Sequence, residues 1–201
     1  LRNDTIRAEY EAKELIRLLP NDPYSYAILG NYYSERRRWD AAVDINTLLI
    51  KRDISNFGIW RSLIIAYDML KDTAGHNRTI REYLPLLSRY LSKNESDAEQ
   101  RVQSGYYYAL LGKHDEAVAE LKKALVYEDK WGNDEYYHSA CAYARVGEWD
   151  RAIDKLAHSI IIRPGNMDAM KTDPDFRELV QRPNVEVQIR ARVEEIKKNN
   201  R

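Results

Sequence analysis

The chain repeats itself at a fixed interval, and this periodicity limits its possible folds more than any other feature. Residues 109–118 reappear in kind at 144–153, and Gly112 and Gly147 stand 35 positions apart at the same place in the two copies. A unit of this size does not bury its apolar face alone, so neighbouring copies have to cover one another. The interval therefore predicts a stacked repeat array.

Each copy has the pattern of two helices joined by a tight turn. Tyr26, Leu29 and Tyr33 mark one apolar face at helical spacing, and Ala42 and Leu49 continue the 3.6-residue period after the turn. In two later copies a glycine stands at the turn, where the chain needs a left-handed backbone that glycine adopts without strain. We expect helical hairpins with alanine at the point of closest approach.

The pattern resembles that of the tetratricopeptide repeat (TPR) family. The copy at 133–166 has an aromatic residue and a tyrosine on its first helix, glycine before an aromatic at the turn, then alanine, a large apolar residue and a closing proline: Tyr136, Tyr143, Gly147, Trp149, Ala152, Leu156 and Pro164. It departs at Ser139-Ala140, where the family prefers Leu-Gly. The resemblance implies an all-α fold, a right-handed α-solenoid of antiparallel helix pairs with C-terminal capping helices.

The register of that pattern divides the chain into six segments. They are an incomplete repeat that keeps only its second helix at 1–22, a unit at 23–56, an irregular unit at 57–97 with insertions and a kink at Pro85, units at 98–132 and 133–166, and capping helices at 167–201. Proline inside a helix removes one backbone hydrogen bond, which is the reason for the expected kink.

The end of the chain is similar to the terminal unit of bacterial TPR arrays. The resemblance rests on the Ala140–Ala144 stretch, Gly147 and the Asp173-Pro174-Asp175-Phe176 segment, whose first two residues form a good helix start. Such ends often close the regulatory part of larger signalling proteins. An alternative function is therefore the C-terminal regulatory region of a kinase or nucleotide cyclase, with covalently linked domains upstream of the mid-repeat start.

Charge and composition argue against several other classes of protein. The 32 basic and 32 acidic residues cancel, so no net field attracts nucleic acid. No apolar run is long enough to insert into a membrane, and a single cysteine weakly favours a reducing compartment. We expect a cytoplasmic protein; a mature periplasmic protein or a fragment of a larger one is the alternative.

Catalytic and cofactor motifs do not stand out in the sequence. It has no glycine-rich phosphate loop, no serine nucleophile elbow and no paired zinc histidines. His138 and Cys141 are three apart and share a helix face, which leaves a cryptic metal or redox site as a minor hypothesis. We expect a protein that is not an enzyme, with no catalytic residues, no cofactor and no metal.

The TPR resemblance indicates where a partner binds. In that family the first helices line a concave surface, and exposed positions one turn either side of Leu-Gly face the groove. Transferred to this chain, the groove positions are Tyr24, Asn31, Arg61, Asp68, Gln103, Tyr106, Tyr137, Cys141 and Arg145. Tyrosine and arginine are common at peptide interfaces because they bury area and still donate hydrogen bonds. The expected partner is a protein or peptide.

Overall fold

The computed structural model describes residues 2–199, with side chains described from residue 9 onward, and this part of the chain contains twelve α-helices and no strand. The helices are α1 (Arg2–Leu18), α2 (Pro23–Glu35), α3 (Trp39–Ile50), α4 (Phe57–Met69), α5 (Thr73–Leu91), α6 (Ala98–Leu110), α7 (His114–Ala124), α8 (Asn133–Arg145), α9 (Trp149–Ile162), α10 (Asn166–Thr172), α11 (Arg177–Val180) and α12 (Val185–Asn199). Two 3₁₀ turns lie at Leu125–Lys130 and Pro174–Phe176.

The chain forms two compact units, residues 1–86 and residues 87–201, called here the N-terminal and C-terminal units. In the N-terminal unit, α1 packs on α2, α2 on α3 and α3 on α4. Tyr26 and Leu29 of α2 meet Ala42 and Leu49 of α3 in one buried cluster. Ala42 is completely buried, and its small side chain allows the two helices to approach closely, as the sequence predicts.

The core of the C-terminal unit is built from two helical hairpins and the helices that follow them. The pair α6 and α7 packs beside the pair α8 and α9, and α12 covers α9. The last helix buries an apolar stripe: Val185, Ile189, Val193 and Ile196 all belong to the core cluster. Phe176 and Leu179, from the segment between the hairpins and α12, join the same cluster.

The hairpin turns have the left-handed backbone that the sequence predicts. Gly112 and Gly147 have φ of 69° and 76°. Arg37 and Lys71 occupy the corresponding turns with φ of 56° and 60°, although neither is glycine. A side chain in this conformation costs about 1 kcal/mol, so the array tolerates the strain at two turns.

Helix starts follow the sequence signals closely. Asp22 accepts hydrogen bonds from the backbone N–H groups of Tyr24 and Ser25, and Pro23 stands at the first position of α2. Asp173 accepts from the backbone N–H of Asp175 and is followed by Pro174 in the same way. These caps satisfy backbone donors that the first turn leaves unpaired.

Each of the four complete repeats predicted from the sequence contains one pair of long helices, while the boundaries of the repeats stay a prediction. The helix α5 continues on both sides of Pro85. Among the described helices, none combines the length and the apolar character that crossing a bilayer requires.

Candidate functional site

The nine groove positions predicted from the sequence are divided between the two units, on one surface in each. Tyr24 and Asn31 lie on α2, and Arg61 and Asp68 lie on α4, in the N-terminal unit. The others lie on α6 and α8 in the C-terminal unit: Gln103, Tyr106, Tyr137, Cys141 and Arg145. The two surfaces differ in what covers them.

The α2/α4 surface is open. Helices α2 and α4 are in contact, Tyr24 is 72% exposed, and Asn31 and Asp68 are also exposed. Arg61 is half-buried one turn before Ile65, which is 53% exposed although it is aliphatic.

The exposed apolar side chains of α4 were missed at the sequence level. Ile65 and Met69 lie four residues apart and follow Arg61 at helical spacing, so the three share one face of α4. Met69 is exposed as well. Buried neighbours such as Leu63 and Ile64 make the whole helix look apolar, which hides this outer stripe. Only the period of 3.6, followed from Arg61 outward, would have revealed it.

The α6/α8 surface is covered by the chain's own 173–176 segment. The Tyr106 hydroxyl donates to Asp175 Oδ2 at 2.8 Å, and the Tyr137 hydroxyl donates to Asp173 Oδ2 at 2.8 Å. Arg145 Nε donates to the other carboxylate oxygen of Asp175 and forms an ion pair with it. Three side chains predicted to meet a partner therefore meet two carboxylates of the same chain.

Phe176 completes this contact. Its ring packs edge-on against Tyr137, with the ring centroids 5.6 Å apart and the planes at 76°. The side chain is completely buried. A ring pair of this geometry adds about 0.5–1.5 kcal/mol to the free energy gained by burying the ring.

Solved structures similar to this chain are helical repeat proteins. A thermophilic TPR protein of Thermus thermophilus matches 94% of this chain and 90% of its own with a TM-score of 0.57 at 22% identity. A TPR protein from Parabacteroides merdae matches 98% of this chain and 74% of its own with a TM-score of 0.62 at 18% identity. This likeness shows the fold of the chain, an all-α solenoid of helix pairs. No family model matches its sequence.

Two further comparisons concern a TPR protein and a pentatricopeptide repeat protein. The TPR protein YrrB, which has an unusual peptide-binding site, covers 84% of this chain and 84% of its own with a TM-score of 0.55 at 23% identity. A stretch of 54 residues is 35% identical to part of a mitochondrial pentatricopeptide repeat-containing protein of Arabidopsis thaliana. That stretch is 27% of this chain and spans only 9% of the Arabidopsis protein.

Two of the nine predicted groove positions are not on the surface. Gln103 is 4% exposed and Cys141 is 2% exposed, so the prediction that they face a partner is wrong in this respect. Gln103 is held inside by a contact of its Nε2 with His138 Nδ1 at 3.1 Å. Cys141 is buried beneath the 173–176 segment, with its sulfur and carboxylate oxygens of Asp173 and Asp175 all within 4.8 Å of one another.

Burial and the two carboxylates shift the pKa values of side chains on the α6/α8 surface. Burial, and then the charge of Asp175, raises the pKa of Tyr106 well above its ordinary value. Burial and the hydrogen bond to Asp173 raise the pKa of Tyr137 in the same direction. Burial alone would lower the pKa of Arg145, but the charge and hydrogen bond of Asp175 outweigh it and raise the pKa.

Raised tyrosine pKa values predict a loss of stability in alkali. The folded state holds the protons of Tyr106 and Tyr137 more tightly than the unfolded chain, where tyrosine titrates near about pH 10. The contribution of these two tyrosines to stability is therefore constant below about pH 10 and falls as the pH rises above it. Urea unfolding from about pH 8 to about pH 11 should show this decline, and Tyr137→Phe should make it shallower by about 1.4 kcal/mol per pH unit.

The exposed residue Tyr24 provides the control for this pH measurement. Tyr24→Phe also removes one phenolic hydroxyl, but from a ring that is 72% exposed and so loses no buried contact. An identical slope for the Tyr137→Phe and Tyr24→Phe chains would show that the Tyr137 hydroxyl does not hold its proton in the way described.

The thiol of Cys141 and the nearby acidic groups have structural partners. Burial, and then the charge of Asp175, raises the pKa of Cys141 well above its ordinary value, so the thiol is protonated at neutral pH and is a poor nucleophile or ligand. His138 contacts Gln103 and the ring of Tyr106. The hypothesis of a His138–Cys141 metal or redox site gains no support from this arrangement.

A second cluster of titratable side chains brings Glu128 of the 3₁₀ turn together with Asp154 and His158 of α9. Lys155 Nζ lies 2.6 Å from Glu128, and Arg192 lies 2.7 Å from Asp154. Each cation pairs with one carboxylate: Arg192 links α12 to Asp154 of α9, and Lys155 links α9 to Glu128 in the 3₁₀ turn. This cluster fastens the last helix to the hairpin before it.

Proposed function

We propose that this chain is a protein-interaction scaffold that binds a segment of a partner protein on the α2/α4 surface, without catalysis. The observation that carries the proposal is the open face of α4, where Ile65 and Met69 are exposed beside Arg61 and Asp68. Exposed aliphatic side chains flanked by both charges suit a partner segment with an apolar anchor and polar groups around it.

The neighbouring helix adds an aromatic contact to this surface. Tyr24 of α2 is exposed, and a tyrosine ring offers a large apolar area and a hydroxyl at low cost in conformational entropy. The repeat fold supports the same function, since stacked helix pairs present extended surfaces to partners. The peptide-binding site of YrrB, a protein of the same fold, is consistent with this proposal.

The test selects partner sequences without assuming an identity. A random peptide library is panned against the whole chain, and the selected peptides are measured by fluorescence anisotropy. Ile65→Ser combined with Tyr24→Ala should raise the Kd at least about tenfold, equivalent to about 1.4 kcal/mol. Helical content should not change, because both side chains are exposed.

A matched control lies in the same unit. Leu48 of α3 is an exposed aliphatic residue outside the α2/α4 surface. Leu48→Ser should leave the Kd within about twofold of the unmodified chain, since surface substitutions away from an interface have small effects. Equal weakening by Leu48→Ser, or failure to select any peptide, would contradict the proposed binding surface.

A further inference from the structure

The contact between the α6/α8 surface and residues 173–176 has the features of a peptide in a binding site. Two tyrosine hydroxyls and one guanidinium donate to two carboxylates spaced two residues apart, and an aromatic ring follows directly. The donors come from α6 and α8, the first helices of two hairpins, and the acceptors from a separate part of the chain. Donor and acceptor thus stand in the relation of a receptor surface and its ligand.

The segment carries the local signals that shape it for this contact. Asp173 Oδ1 accepts the backbone N–H of Asp175 at 2.9 Å, while its other oxygen accepts from Tyr137. Pro174 fixes its own φ and stabilises the same turn. A segment whose turn is held by its own hydrogen bond and proline loses less conformational entropy on binding.

The contact is selective in its chemistry. Arg145 provides the positive charge against Asp175, and Asp175 is 8% exposed, so a neutral or basic residue at this place would leave a partly buried cation without its counter-ion. Removing one partner of such a pair is strongly unfavourable. The ring of Phe176 fills a completely enclosed place beside Tyr137. The surface therefore distinguishes an acidic segment ending in an aromatic residue from other segments.

We propose that the α6/α8 surface is a recognition site for Asp-x-Asp-Phe segments, which the chain's own residues 173–176 occupy and thereby close. A partner segment of the same chemistry binds there only when the internal segment is released. A tethered segment has an effective concentration in the range of about 1 mM or more, so a free peptide of moderate affinity does not displace it. This site is separate from the α2/α4 surface, and the proposal stands without the function proposed for that surface.

The experiment removes the internal segment from the site by substitution and then adds the same segment as a free peptide. The probe is a fluorescein-labelled peptide with the sequence of residues 171–177, Lys-Thr-Asp-Pro-Asp-Phe-Arg. The opened protein is the full chain with Asp173→Gly, Pro174→Ser, Asp175→Gly and Phe176→Ser. It should bind the peptide at least about tenfold more tightly than the unmodified chain does, and the peptide should raise its Tm, because a ligand of the folded state stabilises that state.

Two controls test the chemistry of the opened site. A peptide with asparagine in place of both aspartates should bind at least about tenfold more weakly, as should the labelled peptide when Arg145→Glu is added to the opened protein. A folded opened protein that does not bind the peptide would overturn the proposal. Equal binding by the opened and unmodified chains would do the same, because it would place the peptide elsewhere.

Loss of the buried Phe176 can prevent the opened protein from folding, and a second variant decides the question in that case. Arg145→Glu in the otherwise native chain sets two acidic groups against each other and keeps Phe176 in place. This variant should bind a peptide with arginine at the second aspartate position at least about tenfold more tightly than the native peptide. Equal binding of the two peptides, or binding of neither, would overturn the proposal.

Discussion

Phe176→Ala should destabilise the C-terminal unit by about 3–5 kcal/mol, the usual cost of removing a fully buried aromatic side chain. Phe176 is completely buried, and Tyr137 and Leu179 are part of the same core. Alanine leaves a cavity among these side chains and removes the ring contact with Tyr137. Because the ring anchors the 173–176 segment, the loss should extend to the hydrogen bonds made by Asp173 and Asp175.

Native-state hydrogen exchange measures this loss within the C-terminal unit. The slowest backbone amides of α8 and α9 should exchange with an opening free energy lowered by about 3 kcal/mol or more. Val187→Ala on α12 is the control, since Val187 is 65% exposed and its truncation should change stability by about 0.5 kcal/mol or less. A change below about 1 kcal/mol for Phe176→Ala would show that the ring is not an anchor.

Trp60→Ala should have an effect of similar size in the N-terminal unit, about 3–5 kcal/mol. The indole of Trp60 is buried and stacks on Tyr83, with the ring centroids 5.6 Å apart and the planes at 12°. Its Nε1 donates to the backbone carbonyl of Ile54 at 2.9 Å. The substitution therefore removes apolar burial, a ring contact and the hydrogen bond that fixes the turn before α4.

Trp60→Phe separates these contributions. Phenylalanine keeps part of the stack on Tyr83 and loses the hydrogen bond to Ile54, so it should cost roughly half as much as alanine. Urea unfolding followed by circular dichroism compares the two variants with the unmodified chain. Equal costs for alanine and phenylalanine would assign the whole effect to the hydrogen bond and contradict the importance of the stack.

The fold could be predicted from the sequence because its signals are local and repeated. Gly112 and Gly147 mark turns by the backbone they require, and Ala42 marks a close helix contact by its size. Asp173-Pro174 marks a helix start within two residues. Each signal acts over one or two turns of helix, which is the range that a pattern of residue types describes well.

The covering of the α6/α8 surface by residues 173–176 could not be predicted in the same way. Tyr106 and Asp175 are 69 positions apart, and no periodicity relates a first-helix tyrosine to a carboxylate beyond the last hairpin. The repeat register indicated that Tyr137 and Arg145 face outward from their hairpin, and it gave no information on what covers them. One signal was present in the sequence: Phe176, one of only two phenylalanines in the chain, directly follows Asp173-Pro174-Asp175.

The residues of the α2/α4 surface were predicted only in part. The register identified Tyr24, Arg61 and Asp68, and it missed Ile65 and Met69 on the same face of α4. A hydrophobic pattern alone assigns every aliphatic residue of a helix to the core. An exposed aliphatic residue can be recognised only when the buried face of that helix is already known. Their exposure now provides the strongest argument for a binding surface in the N-terminal unit.

The measurement that tests the central claim most directly is a chemical-shift titration of the whole chain, labelled with ¹⁵N, with a peptide selected from the random library. The account predicts that the amides of α2 and α4 shift, above all those near Tyr24, Arg61 and Ile65, while the amides of α8 near Arg145 stay in place because residues 173–176 close that surface. Shifts centred on α6 and α8, with α2 and α4 unchanged, would contradict the account.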